Sequence, residues 1–254
     1  MNEGTLLSLR NVGRSFGGLA AVVDVDFDIA AGEICGLIGP NGAGKSTTFN
    51  LIAGERTPNS GRLFFAGHDI TGAPSYAIAR LGIARMFQAV HLFESMTVAE
   101  NVLIGADPHD RLRLFSSMFH SGSHQRRERA AAEKTQNAIA LLGLQSVAEK
   151  PAASLPFGQQ RLVAVARALA SEPRLLLLDE PAAGLSATEI EALKQAVQGA
   201  RAAGITVLVV EHNIAFVMGL CDHVVVMHGG RKIADGTPNE VQGSAAVQEA
   251  YLGS

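Results

Sequence analysis

The chain has 254 residues, of which 47% are hydrophobic and 18% charged, a composition that is typical of a globular protein and excludes a disordered one. Its formal net charge of −3 provides no basic face, so we expect no nucleic-acid partner. Cys35 and Cys221 lie in apolar, strand-like runs and suggest neither a disulfide framework nor a metal site, which favours a reducing cytosol.

The N-terminal segment and the apolar runs indicate how the chain relates to a membrane. Met1 to Arg10 are polar and lack the apolar centre of a signal sequence. No apolar run approaches the ~18–20 residues that a membrane-spanning helix needs. We therefore expect a soluble protein, whose membrane association would be peripheral.

The N-terminal third contains strand patterns followed by a helix. Leu6–Val12 and Val22–Ile29 alternate apolar and polar residues and predict antiparallel strands. A turn then leads into the apolar run Ile34–Ile38, which predicts a buried strand. A glycine-rich loop follows, and after it a helix from Lys45 to about Ala53, ended by Gly54. The order is strand, loop, helix.

The rest of the chain changes character twice. From about residue 90 to 154 it is rich in Ala, Glu, Gln and Arg and is predicted to be mostly helical. The last third then alternates strands and helices: strand Leu175–Leu178, helix Thr188–Ala203, strand Thr206–Val210, helix Ile214–Leu220 and strand Val224–Met227. This alternation predicts an α/β core with a largely parallel sheet, interrupted by a helical subdomain.

The loop after Ile38 has the spacing of a phosphate-binding loop. It fits G-x-x-x-x-G-K-[ST] with the residues Gly39, Pro40, Asn41, Gly42, Ala43, Gly44, Lys45 and Ser46. Glycines let successive backbone N–H groups turn toward one anion, and the helix that begins near Lys45 adds its positive end. We expect Lys45 to contact the β- and γ-phosphates, Ser46 to ligate Mg²⁺ and Thr47 to bind the α-phosphate. A chance glycine-rich turn is the alternative, and the flanking strand and helix count against it.

Polar residues also follow two of the predicted strands in the last third. Asp179 and Glu180 end the run Leu175–Leu178, and His212 follows the strand Thr206–Val210. The carboxyl ends of parallel strands lie at one edge of a sheet, so we expect these residues beside the phosphate loop. There Asp179 would hold Mg²⁺ through water, Glu180 would polarise the attacking water and His212 would contact the γ-phosphate. A solvated acidic strand end and a structural histidine are the alternatives.

Together with further segments, these motifs resemble the ATP-binding cassette (ABC) family, and the resemblance covers almost the whole chain. Leu155-Pro156-Phe157-Gly158-Gln159-Gln160-Arg161 resembles the family's signature motif, Leu-Ser-Gly-Gly-Gln. Four further positions match family elements: Gln88 the Q-loop, Ala183 to Ser186 the D-loop, His212 the H-loop, and Phe16 the aromatic residue that stacks on adenine. The resemblance implies a P-loop NTPase (RecA-like) core with an antiparallel β subdomain and an inserted α-helical subdomain.

The resemblance also implies a mechanism that requires two subunits. In this family two cassettes enclose two ATP molecules, and the signature segment of one, here Gly158 and Gln159, contacts the nucleotide of the other. Gln88 is then a catalytic residue that contacts Mg²⁺ and water, together with Glu180 and His212. The implied domain is 1–254, with the core at about 1–89 and 165–254 and the helical subdomain at about 90–164.

Two positions depart from the family pattern. Pro156 replaces the signature serine, whose hydroxyl contacts the γ-phosphate in many relatives, and proline offers neither a hydroxyl nor a backbone N–H. A lost hydrogen bond to a charged group costs about 1.5–3 kcal/mol, so we expect weaker ATP binding and not an inactive site. Ser186 stands where the D-loop commonly has Asp or Asn, which puts communication between the subunits there in question.

Several segments resemble the importers of branched-chain amino acids within this family. They are Phe16 to Val22, Ala84 to Gln88, Glu180 to Leu185 and the tail from Ala234 to Gly253. The resemblance implies an ATPase that drives uptake of branched-chain or other hydrophobic amino acids at the cytoplasmic face of the membrane. Its partners are then a second, different cassette, two permease subunits and, indirectly, a periplasmic or extracellular binding protein.

Three alternatives stay open at this point. Relatives of these importers move urea or short-chain amides. A soluble ABC protein that acts on another assembly is a second possibility, although the chain has neither tandem cassettes nor a long coiled-coil insertion. A regulatory module that holds ATP and hydrolyses it poorly is the third, suggested by Pro156 and Ser186.

Overall fold

A computed structural model describes residues 4–86, 91–106 and 122–252. Gln88 lies outside these ranges. Among the described residues, no helix combines the length and the apolar character that a membrane span requires. The strands within the described ranges form two sheets of four and six strands.

The four-stranded sheet is antiparallel and has the order β2-β1-β4-β5. Its strands are β1 (Thr5–Phe16), β2 (Leu19–Ala30), β4 (Ser60–Phe65) and β5 (His68–Asp69). Gly17 and Gly18 join β1 to β2 with φ of 51° and 91°, the positive angles that a tight two-residue hairpin requires. In the pairing of β1 with β2, buried residues lie opposite each other, for example Leu9 opposite Phe27 and Val12 opposite Val25. The two predicted antiparallel strands are confirmed and are longer than their patterns indicated.

The six-stranded sheet forms the centre of the molecule and has the order β10-β9-β3-β8-β7-β6. Its strands are β3 (Ile34–Ile38), β6 (Ile83–Met86), β7 (Leu175–Asp179), β8 (Thr206–Val210), β9 (His223–His228) and β10 (Arg231–Gly236). All neighbours are parallel except β9 and β10. Every residue of β3, β7 and β8 is buried, as expected for parallel strands covered on both faces. The predicted α/β class with a largely parallel sheet is confirmed.

Nine α-helices lie in the described ranges and cover these sheets. They are α1 (Lys45–Ile52), α2 (Ser75–Arg80), α3 (Val98–Ala106), α4 (Gly122–Leu141), α5 (Phe157–Leu169), α6 (Ala187–Ala202), α7 (Ile214–Met218), α8 (Pro238–Gln242) and α9 (Ala245–Leu252). Alternate residues of the central strands enter two hydrophobic clusters on opposite faces, with Leu176 and Leu178 in one and Leu175 and Leu177 in the other. The central sheet therefore separates two cores.

The segment predicted to be mostly helical contains α3, α4 and the first part of α5, which pack against one another. Helix α5 continues to Leu169, across the predicted boundary near residue 165. The division into a core and a helical subdomain at residues 90 and 165 stays a prediction. The C-terminal tail forms β10, α8 and α9, elements that the sequence patterns did not predict.

A cluster of charges links the start of β3 to strands β9 and β10 within the central sheet. The two ring nitrogens of His223 face two carboxylates: Nδ1 lies 3.3 Å from Glu33 Oε1, and Nε2 contacts Asp235 Oδ1. Lys232 also pairs with Asp235, at 2.5 Å. The hydrogen bond to Asp235, followed by those to Cys35 and Glu33, raises the pKa of His223 to about 12. The protonated imidazolium therefore joins the start of β3 to the tail.

Replacing His223 tests this cluster. Because the pKa of His223 is raised, its stabilisation is complete below the unfolded-state value of about 6.5 and is lost as the pH rises toward 12. We expect the difference in free energy of unfolding between the wild type and His223→Gln to be largest near pH 6 and to shrink toward pH 9, measured by urea denaturation. His68→Gln, on an exposed position, is the control. A difference that does not change with pH would contradict the charged cluster.

Two helical glycines offer a matched test of packing. A Cβ on Gly105 of α3 would lie 1.8 Å from the carbonyl oxygen of Arg167 on α5, whereas one on Gly199 of α6 would lie 2.3 Å from Cδ1 of Leu141. A backbone carbonyl cannot give way without moving its helix, but an exposed leucine side chain can. We expect Gly105→Ala to destabilise the fold by about 1–3 kcal/mol. Gly199→Ala should be neutral or stabilising by up to about 1 kcal/mol in the same urea experiment, and equal effects would refute this reading.

Candidate nucleotide site

The phosphate loop has a backbone shape that favours glycine, and two of its glycines are also packed too closely for any side chain. Gly39 and Gly44 have φ of 151° and 99°. A Cβ on Gly39 would lie 2.1 Å from the carbonyl oxygen of Met227, and one on Gly44 would lie 2.4 Å from that of Ala21. The loop is therefore held between β9 on one side and the β1–β2 hairpin on the other.

Lys45 is the first residue of α1 and is 7% exposed. Its Nζ donates hydrogen bonds to the carbonyl oxygens of Gly39 at 2.7 Å and Pro40 at 2.9 Å. Burial lowers the pKa of Lys45, and the negative charge of Glu180 opposes that shift. The first turn of α1 holds Ser46 and Thr47 and contains no acidic residue, so nothing there offsets the positive end of the helix. This is the environment that a phosphate group prefers.

An open cleft of about 610 Å³ lies over the loop. It is lined by Gly39, Pro40, Asn41, Glu180, His212 and Tyr251. The structure thus brings the predicted phosphate loop, the predicted base and the predicted histidine to one cavity. Tyr251, which no sequence pattern singled out, reaches the cleft from α9. Burial raises the pKa of Tyr251, and a hydrogen bond with the Gly39 backbone opposes that shift in part.

Asp179 is the last residue of β7 and is buried. Arg85, on the neighbouring strand β6, places its Nη2 2.9 Å from Asp179 Oδ2. The Nη1 of Arg85 also pairs with Glu55 at 2.9 Å and donates to Asn50 Oδ1 at 2.7 Å. Burial raises the pKa of Asp179, and the charge of Arg85 opposes that shift. Arg85, which the sequence analysis did not identify, therefore orients this carboxylate.

Glu180 has a left-handed backbone, with φ of 45°, which is uncommon for a residue that has a side chain. Its N–H donates to the carbonyl oxygen of Val210 at 2.9 Å, so the neighbouring strand holds it. The ring Nδ1 of His212 lies 3.7 Å from Glu180 Oε1. The turn directs the Glu180 side chain into the cleft, and Asp179 instead faces Arg85.

Glu211 joins the loops that follow β7 and β8. It is 1% exposed, and its carboxylate accepts hydrogen bonds from the backbone N–H groups of Ala182 at 2.8 Å and His212 at 3.2 Å. The sequence contains a local signal for this residue, an acid directly after the apolar run Val207–Val210 of β8, and that pattern is the same as for Asp179.

The signature segment begins helix α5. Pro156 is the residue before the helix and supplies no side-chain cap. Gly158 is buried, and a Cβ on it would lie 1.9 Å from Oε1 of Glu189. Among the described residues, those that line the cleft include neither Gly158 nor Gln159. Their predicted contact with nucleotide would therefore require a second subunit.

Two further predicted positions, Phe16 and Ser186, lie outside the lining of the cleft. Phe16 ends β1, is 40% exposed and has the guanidinium of Arg14 4.8 Å from its ring centre. Ser186 of the D-loop caps α6 and forms a reciprocal capping box with Glu189, a role that Asp or Asn also fills. The predicted adenine contact of Phe16 stays a prediction.

Comparison with known proteins identifies the family. The sequence model of the ABC transporter family matches residues 22–183, and that of the branched-chain amino acid ATP-binding cassette transporter matches residues 231–254. The chain is 38% identical over 249 residues to the high-affinity branched-chain amino acid transport ATP-binding protein BraF of Pseudomonas aeruginosa, and 37% identical over 249 residues to LivG of Escherichia coli. Each alignment covers 98% of both chains.

Two other relatives extend the comparison. The lipopolysaccharide export ATP-binding protein LptB of Acidithiobacillus ferridurans is 33% identical over 253 residues, which cover 98% of this chain and 97% of LptB. A crystal structure of the ADP conformation of an ATP-binding cassette of an ABC transporter superposes with a TM-score of 0.84 at 31% identity, covering 98% of this chain and 99% of the other. With its phosphate loop, its two acids and this likeness along its whole length, the chain belongs to the ABC transporter family as an ATP-hydrolysing subunit.

Proposed function

We propose that this cassette powers the uptake of branched-chain or other hydrophobic amino acids. The observation that carries the proposal is the C-terminal tail, which matches the branched-chain transporter model at residues 231–254. That tail reaches the nucleotide cleft through Tyr251, and the His223 cluster links its strand β10 to β9 and to the start of β3. BraF and LivG, both named for branched-chain amino acid transport, are also more similar to the chain than LptB, which is named for export.

In the proposed reaction the phosphate loop binds ATP. Lys45 exchanges its two carbonyl partners for the β- and γ-phosphates, and Ser46 and Thr47 contact phosphate or its metal ion. Glu180 acts as the general base: its carboxylate faces the cleft, where it accepts the proton of the attacking water. His212 lies beside it and contacts the γ-phosphate. Gln88 completes the proposed catalytic set as a contact to water and Mg²⁺.

The oxygen atoms at this edge of the sheet fit Mg²⁺. The Asp179 carboxylate is held by Arg85 through one oxygen, and the Ser46 hydroxyl is exposed at the start of α1. Carboxylate and hydroxyl oxygens, with water and phosphate, are the ligands that this ion prefers. When bound, Mg²⁺ supplies positive charge that neutralises the phosphate oxygens during transfer.

The proposed assembly has more than one subunit. Gly158 and Gln159 lie at the start of α5 and do not line the cleft of their own chain, which supports a second cassette whose nucleotide they contact. We infer a heterodimer of cassettes on two permease subunits, at the cytoplasmic face of the cell membrane, served by a periplasmic or extracellular binding protein. The cassette is the peripheral, ATP-hydrolysing part.

Affinity purification from native membranes in mild detergent tests the assembly. We expect the tagged chain to recover two polytopic membrane proteins and a second cassette, identified by mass spectrometry. Uptake of radiolabelled leucine in cells that lack the chain, with and without its return, then tests the cargo. Uptake of urea or short-chain amides instead would overturn the amino-acid proposal, and recovery of soluble partners alone would overturn transport.

Glu180→Gln tests the proposed base. The amide keeps the size of the side chain and removes its capacity to accept a proton, so we expect steady phosphate release to fall at least about 100-fold. Nucleotide affinity, measured by titration with a fluorescent ATP analogue, should stay within about threefold. Lys45→Ala should instead lose nucleotide binding. The exposed Glu191→Gln on α6 serves as the control, and near-normal turnover of Glu180→Gln would refute the assignment.

Pro156→Ser tests the departure in the signature segment. Serine adds a hydroxyl at the start of α5, and a hydrogen bond to a charged phosphate contributes about 1.5–3 kcal/mol. We therefore expect the KM for ATP of the assembled transporter to fall by roughly 10- to 100-fold. ATP binding by the isolated subunit should not change, because the contact is made across the subunit interface. A change in the isolated subunit alone would contradict this placement.

A further inference from the structure

Glu180 is held in an unfavourable backbone conformation by contacts on both sides of the residue. A non-glycine residue with φ of 45° persists only where its surroundings fix it. One fixed point is the hydrogen bond from the Glu180 N–H to Val210. This bond fixes the N–H group of Glu180, so the position of its carbonyl group depends on other contacts.

Arg161 holds the carbonyl side. It lies on α5, is 3% exposed, and donates a hydrogen bond from Nη1 to the carbonyl oxygen of Glu180. Its guanidinium also lies 5.4 Å from the ring centre of Phe157, at the start of the same helix. The arginine therefore reaches from the signature helix to the backbone of the proposed base.

Glu211 supplies the charge that a buried arginine requires. Burial lowers the pKa of Arg161, and attraction to Glu211 and Glu180 opposes that shift. The Glu211 carboxylate is itself buried and accepts from the N–H groups of Ala182 and His212. Ala182 lies two residues after Glu180, so Glu211 fixes the turn beyond it. Both charges are compensated, as burial of charged groups demands.

We propose that Arg161 and Glu211 are positioning residues for ATP hydrolysis, which hold the left-handed turn at Glu180 and so direct its carboxylate into the cleft. This inference rests on the proposed role of Glu180 as the general base. Arg161 lies about one helical turn after Gly158, so a shift of the signature end of α5 would also shift the group that holds Glu180. The signature helix and the base of one subunit are in this way mechanically joined.

The test compares three substitutions in the full-length chain: Arg161→Met, Arg161→Lys and Glu211→Gln. We expect Arg161→Met and Glu211→Gln to lower kcat by roughly 10- to 100-fold, with the dissociation constant for a fluorescent ATP analogue within about threefold of the wild type. Arg161→Lys keeps the positive charge and a donor group and should recover part of kcat, whereas a loss of folding in Arg161→Met would also weaken nucleotide binding. Arg167→Met, on the same helix but bonded to His91, is the control and should have normal kcat.

Single-turnover hydrolysis of radiolabelled ATP separates the two proposals. If Arg161 acts through the carboxylate of Glu180, Arg161→Met in the Glu180→Gln background should reduce the remaining rate by less than about twofold, because the two effects are not additive. Normal kcat in Arg161→Met, or equal losses of kcat and nucleotide affinity, would overturn the positioning role. Unchanged turnover in Glu180→Gln alone would overturn the proposed base, whatever the Arg161 variants show.

Discussion

The parallel pairing of β3, β8 and β7 is the constraint on which the site depends. Register places Leu37 and Asp179 opposite the same residue, Val210, so the three strands end at one edge of the sheet. The loops that leave this edge contain the phosphate loop, Glu180 and His212. Because all residues of the three strands are buried, a shift in register would move charged groups into the core. The cost of such a shift keeps the proposed catalytic groups together.

Backbone contacts from both sheets shape the phosphate loop. The carbonyl oxygen of Ala21, in the antiparallel sheet, lies against Gly44, and that of Met227, in β9, lies against Gly39. Gly230, between β9 and β10, accepts from the N–H of Val23 and donates to the carbonyl oxygen of Ala43. The β9–β10 hairpin therefore packs directly against the phosphate loop. In this way segments that are far apart in the sequence contribute to one site.

Buried charges hold the two acids in different directions. Arg85 faces Asp179, whereas Arg161 bonds the carbonyl oxygen of Glu180 and leaves its side chain directed into the cleft. Neither arginine lies on β7, the strand that ends at Asp179, and nearby carboxylates balance the positive charge of each. Asp179 and Glu180 are adjacent in the sequence but therefore lie in different environments. Neighbouring carboxyl groups need such a difference to take separate roles in acid–base chemistry.

The sequence by itself determined the α/β class, the strands and helices around the motifs, and the position of the glycine-rich motif between β3 and α1, because these signals are local. Apolar periodicity, glycine spacing and an acid after an apolar strand each act within about ten residues. Glu211 had the same local signal as Asp179 and was missed. Only the tertiary structure decided the contacts of Arg85, Arg161 and Tyr251. Arg85 meets Asp179 across 94 residues of sequence, and Tyr251 reaches Gly39 from the last helix. No local pattern reports such contacts, since they arise only when strand order brings separate elements together.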